Sequence, residues 1–198
     1  MKIKTHKIKT IDIVFLTVYF SFFIISGFVV YIGYIPILGR INLTYLPFFV
    51  VLAGVHLGFK GFLVGGLSFG LSSLIAAYMY GSIRYQYIDI SVLPRFLMSM
   101  IIYLFYKLIK LDKYINIWGF ILLAFLASNL NLILVLSAQH LHHQISPIKG
   151  LLPINEWILT HLLNIIGEPI LAINLALLFY KFIYKYHLKY KAYKEILY

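Results

Sequence analysis

The run IPILGRINLTYLPFFVVLAGVHLGFKGFLVGGLSFGLSSLIAAYM (35–79) reads in four parts: a polar loop, a short apolar helix, a tight basic turn and a long apolar helix. The turn is Gly58-Phe59-Lys60-Gly61, and the helix after it carries Gly61, Gly65, Gly66 and Gly70. Glycines at such spacing remove side chains where another backbone comes close. In lipid, apolar burial does not distinguish helix from tail, so close approach of small residues becomes a main source of packing energy. This stretch is expected to be the buried centre of a membrane bundle, with loops at one mouth left for recognition.

The rest of the chain extends that reading. Of its 198 residues, 62% are hydrophobic and only 12% charged, with a mean hydropathy of +0.92. About 20 apolar residues make one crossing, so the length holds roughly six. The apolar runs are uniform and lack the alternation of an outer-membrane barrel, so backbone groups in lipid must be satisfied within helices. The expected fold is an all-α membrane protein, a six-transmembrane-helix bundle in a single domain over residues 1–198. Its helices are placed near 11–33, 45–58, 61–80, 92–109, 115–138 and 155–184, with polar loops at 34–44, 81–91 and 139–153. The basic N-terminus resembles a signal peptide, but its apolar run is long and no small-residue cleavage site follows. It is read as a retained first helix.

Charge sets the orientation. The net charge of +11 does not form a nucleic-acid-binding face, because the basic residues sit at the termini and in short turns. Lys2, Lys4, Lys7, Lys9, Lys60, Lys107, Lys110, Lys113 and five lysines from Lys181 onward fall on one side of the expected bundle. Arg40, Arg84, Arg95 and Lys149 fall on the other. The positive-inside rule then places both termini in the cytoplasm. With no cysteine in the chain, disulfides and thiolate metal sites are excluded.

Polar groups at membrane depth cost several kcal/mol unless paired or facing a cavity, which makes them functional candidates. Arg95, Asn129, Asn131, His161, Asn164 and Glu168 gather near the expected outer mouth. Residues 161, 164 and 168 follow i, i+3, i+7 and so share one helix face. The packing alternatives are that Arg95 snorkels or pairs with Glu168, that the asparagines join helices, and that Glu168 solvates a backbone kinked by Pro169. Three helices offering polar groups at one depth favour a binding cavity. Two further patterns read as structural. Gly66-Leu67-Ser68-Phe69-Gly70 matches the G-x-S-x-G elbow, which needs a strand-to-helix turn, whereas Ser68 lies mid-helix. His140, His142 and His143 have the imidazoles of a transition-metal site but no neighbouring carboxylate in sequence, which suits a solvated loop. Tyr45, Tyr80, Tyr85, Tyr87 and Trp157 suit an interfacial aromatic belt.

The segments INLTYLPFFVVLAGVHLGFKGFLVGGLSFGLSSLIAA (41–77), SVLPRFLMSMIIYLFYKLIK (91–110), ASNLNLILVL (127–136) and NIIGEPILAINLAL (164–177), in that order across six helices, resemble the substrate-binding S components of energy-coupling factor (ECF) vitamin transporters. The resemblance implies a protein that binds a vitamin at its outer face, under the loops after helices 1, 3 and 5. It implies docking on a transmembrane T subunit that works with two cytoplasmic ATPase subunits. Small residues on helix 1 carry that docking in the family, and Thr17 and Ser21 are their nearest match here. No P-loop is present in this chain, and no enzymatic activity, cofactor or metal is expected of it. The run SVLPRFL is most similar to members that carry pantothenate or a related vitamin, and Arg95 suits a carboxylate. The competing readings are a membrane-embedded hydrolase or metal enzyme built on Ser68 or the histidines, and a membrane assembly factor that binds no small molecule.

Overall fold

The computed structural model describes residues 10–38 and 41–196. Lys2, Lys4, Lys7, Lys9, Gly39 and Arg40 lie outside the described residues. The elements run α1 (Thr10–Phe28), β1 (Tyr34–Leu38), β2 (Ile41–Thr44), α2 (Leu46–Leu57), α3 (Phe59–Met79), α4 (Ile88–Ser91), α5 (Leu93–Leu108), α6 (Ile117–Ile145), α7 (Ile154–Thr160) and α8 (Leu162–Ile196). Among the described residues, five segments are long and apolar enough to cross a membrane: α1, α3, α4 with α5, α6, and α8 as far as Tyr186. They mark an integral membrane protein.

The centre of the bundle is α2. Its 12 residues are apolar save for His56, and ten of them are buried, as a helix apolar on nearly every face requires. It packs against α3, α6 and α8, and Phe48 at its start meets Phe120 and Phe179 at ring-centroid distances of 5.9 and 5.6 Å. At about 1.5 Å per residue, α2 is too short to cross alone. The chain reaches it through the β1–β2 hairpin.

That hairpin is a departure from the expected polar loop at 34–44. Its tyrosine, isoleucines and threonine favour extended backbone, and β1 and β2 pair antiparallel from Tyr34–Thr44 to Leu38–Ile41, with a bulge between Pro36 and Leu38. The first helix also stops short of the expected Gly33. After Phe28 the chain turns tightly through residues 30–32, and Ser26 Oγ lies 2.8 Å from the Phe22 carbonyl and 2.9 Å from that of Ile32.

The ends of the bundle differ in character. At one end, Lys60 Nζ sits 2.9 Å from the buried Asp12 carboxylate, joining the α2–α3 turn to the start of α1. Lys107 pairs with Asp112 at 2.7 Å in the α5–α6 turn, where Asn116 accepts the Gly119 N–H at 2.7 Å and caps α6. At the opposite end, the Tyr80 hydroxyl donates to the Phe28 carbonyl at 2.6 Å, so α1 and α3 finish together.

Three further boundaries differ from expectation. A short α4 precedes α5, so helix begins before Val92. The fifth expected helix does not stop at Ala138 but continues to Ile145. Residues 139–143 are polar enough to read as loop, yet helical backbone persists there and the three histidines find partners. The last expected helix is not continuous from 155: it breaks at His161, which caps α7, and α8 then runs on to Ile196.

Candidate functional site

The glycines of α3 set how the site is framed. A Cβ at Gly70 lies 2.7 Å from Val92 Cα, and one at Gly66 falls against Ser99 Cβ, so α3 and α5 approach backbone to backbone. This contact draws Arg95, on the first turn of α5, in beside α3. Between the hairpin, α3, α5, α6 and α8, at the end away from the Lys60 turn, lies a cavity of about 650 Å³. That volume is within the usual range for small-molecule sites.

Arg95 is only 6% exposed. Its Nη1 donates to the Ile90 carbonyl at 2.6 Å and the Ser91 carbonyl at 3.1 Å, groups left open at the end of α4. The Phe69 and Tyr85 rings lie 5.5 and 5.7 Å from its Cζ, within cation–π range. Lys60 pairs with Asp12, Lys107 with Asp112, and His142 meets Asp89. Arg95 and Glu168 share the cavity without pairing.

Across the cavity, α8 is stitched to the hairpin. Glu168 Oε1 accepts the Thr44 N–H at 3.0 Å and Asn164 Nδ2 at 2.9 Å. Asn164 Nδ2 also donates to the Asn42 carbonyl at 2.7 Å. The two acceptors orient the Asn164 amide and leave its Oδ1 without a hydrogen bond. His161 lies in the α7–α8 break, its ring stacked on Trp157 at 4.2 Å and 8°. Burial holds the His161 imidazole below its ordinary pKa; the Arg84 charge adds to this, while the hydrogen bond to the Trp157 carbonyl opposes it. The ring is neutral at pH 7.

Of the residues expected at the mouth, Arg95, Asn131, His161, Asn164 and Glu168 line this cavity together. Asn129 does not. Two residues along a helix is a rotation of about 200°, so Asn129 and Asn131 cannot share a face, and Asn129 Nδ2 instead donates to the Phe125 carbonyl at 2.8 Å. Thr17 and Ser21 are exposed on α1, where Thr17 Oγ1 donates to the Ile13 carbonyl at 2.9 Å. Ser68 is sealed within α3, bonded to the Val64 carbonyl at 2.6 Å.

The three histidines are not in a loop. They lie in the last turns of α6, and each has a different partner. His140 Nδ1 is 3.0 Å from the Leu136 carbonyl, and His143 Nδ1 accepts the Ile148 N–H at 2.9 Å. His142 Nδ1 meets Asp89 at 2.6 Å, a carboxylate distant in sequence.

Arg84, Lys149 and Tyr34 also line the cavity and were not expected there. Arg84 and Lys149 sit in connections, where no periodicity indicates direction; their place on the less basic side of the charge count was the available signal. Trp157 and Tyr85, read as belt residues, face the cavity as well. Compared with family models and with curated proteins, the chain matches none of them.

Proposed function

We propose that this chain is the substrate-binding membrane subunit of an ECF-type importer. In this reading it captures a vitamin or related micronutrient, pantothenate-like in character, at the extracellular face. It then delivers that cargo through a transmembrane T subunit driven by two cytoplasmic ATPase subunits. The chain makes six passes, the second built from the hairpin and α2 together, and both termini are cytoplasmic. The observation that carries the reading is the polar, basic cavity set in one end of an otherwise apolar bundle. A second support is the clustering of Lys60, Lys107, Lys110 and Lys113 in turns at the other end, as the positive-inside rule asks of cytoplasmic connections.

The test is to purify the chain in detergent and titrate a vitamin panel against tryptophan fluorescence, with thermal shift as a cross-check. Trp157 lies on the cavity wall, whereas Trp118 is exposed at the start of α6. A Trp118→Phe variant therefore leaves the reporter that matters. Saturable binding of one vitamin supports the reading, and silence across the panel in folded protein overturns it.

Docking gives a separate expectation. Thr17 and Ser21 lie on an exposed apolar strip of α1 with Val14, Val18 and Ile25. The double variant Thr17→Trp, Ser21→Trp is expected to abolish cellular uptake while ligand affinity of the purified chain stays within about twofold, since surface changes away from a site shift energies by less than about 0.5 kcal/mol. Uptake at the normal rate in that variant assigns docking to another face.

A further inference from the structure

The cavity wall is uneven in both charge and unmet hydrogen bonding. Among the described residues three cations line it, Arg84, Arg95 and Lys149, against the single carboxylate of Glu168. That carboxylate is already engaged at one oxygen by the Thr44 and Asn164 donors. Four buried polar atoms on wall residues have no hydrogen bond: Arg95 Nε, Trp157 Nε1, Asn131 Oδ1 and Asn164 Oδ1. Native proteins leave few such atoms unmet. Two are donors and two are acceptors, so a matching ligand presents both kinds of group. The unmet donor on the buried guanidinium calls for an acceptor, and an anionic oxygen there makes the stronger, charge-assisted bond. The unmet amide oxygens call for O–H or N–H.

We infer that the ligand is a small organic acid bearing hydroxyl or amide N–H groups, with its anionic oxygens at Arg95 and its donors toward Asn131, Asn164 and Glu168. Arg84 and Lys149 supply the attractive field at the mouth. Both are more accessible than Arg95, so they act on the approaching anion, and salt screens them over about 10 Å at 0.1 M. This rests on the binding reading above and narrows it, since neutral and cationic vitamins are then poor ligands.

Calorimetric titration of the full chain in detergent tests it with matched probes. Each acid is set against its uncharged counterpart: pantothenate against panthenol, nicotinate against nicotinamide, biotin against biotinamide. Pyridoxal 5′-phosphate serves as the phosphate arm and thiamin as the cationic arm. An acid is expected to bind at least about tenfold tighter than its neutral counterpart, a factor that corresponds to about 1.4 kcal/mol. The carboxylate and phosphate arms then distinguish the two sources of anionic oxygen.

The double variant Arg84→Gln, Lys149→Gln is expected to weaken that acid at least about threefold, more than its neutral counterpart, and to flatten its salt dependence. A neutral probe that binds as tightly as its acid, or thiamin as the tightest ligand, overturns the inference and leaves the binding reading standing. An unchanged salt slope in the double variant removes Arg84 and Lys149 from the mechanism. No binding by any probe, with a cooperative melt showing folded protein, overturns the binding reading itself.

Discussion

Arg95→Met is expected to weaken binding of the cognate ligand by about 10- to 150-fold. That range is the equivalent of losing one hydrogen bond to a charged group, about 1.5–3 kcal/mol. Methionine keeps most of the aliphatic stem and loses only the guanidinium that lies over Phe69, so the cavity is not emptied. The guanidinium has a second task, however, because its Nη1 holds the Ile90 and Ser91 carbonyls at the end of α4. The variant should therefore also melt at a lower temperature than the wild type in the absence of ligand. Arg95→Lys separates the tasks. Its ammonium reaches a carbonyl and restores part of the melting temperature, but it lacks the planar fork that grips an acid, so affinity recovers little. Wild-type affinity in a folded Arg95→Met protein shows that the ligand does not contact this residue.

The site was legible where helix geometry fixes direction and illegible where it does not. Asn164 and Glu168 are one turn apart on α8, and their shared face could be read from spacing alone. His161 belongs to the same group for a different reason: it lies outside α8, and its stacking on Trp157 brings it to the wall. Asn129 was separable from Asn131 by rotation alone, although the choice between them needed the bundle. Arg84 and Lys149 had no such rule. Each sits in a connection whose path is set by the elements it joins.

The fold divides along similar lines. Long apolar runs announce α1, α3 and α6 because lipid requires them. The same requirement says nothing about a short connecting segment. The β1–β2 hairpin is such a case, with Ile35, Pro36, Ile37 and Asn42 exposed. Its polar residues read as a loop, while the structure pairs Tyr34 with Thr44 and has α8 offer Glu168 to the Thr44 N–H. The end of α6 was misjudged because polarity is a poor guide to where a helix stops once it has left the apolar core. His142 meets Asp89 there, a partner 53 residues earlier in the chain.

The glycines of α3 yield the largest expected effect on stability, and they are not equivalent. A methyl at Gly70 meets the Val92 backbone, with Cα at 2.7 Å and the carbonyl oxygen at 3.1 Å. Neither is the movable end of a side chain, so α3 and α5 must separate, and with them the wall that presents Arg95. A methyl at Gly65 instead finds Val50 no nearer than 3.4 Å, an ordinary contact. Both glycines are buried in the same helix, and both substitutions gain the same helix propensity, about 1 kcal/mol in favour of alanine. Only the neighbour differs. Overpacking costs about 1–3 kcal/mol, more when backbone must shift. Gly70→Ala is therefore expected to lower the melting temperature by about 2–4 °C for each net kcal/mol lost and to weaken ligand binding with it. Gly65→Ala is expected to leave both unchanged or to raise the melting temperature. Equal losses in the two variants would mean that the separation of α3 from α5 is not what sets the stability of the bundle.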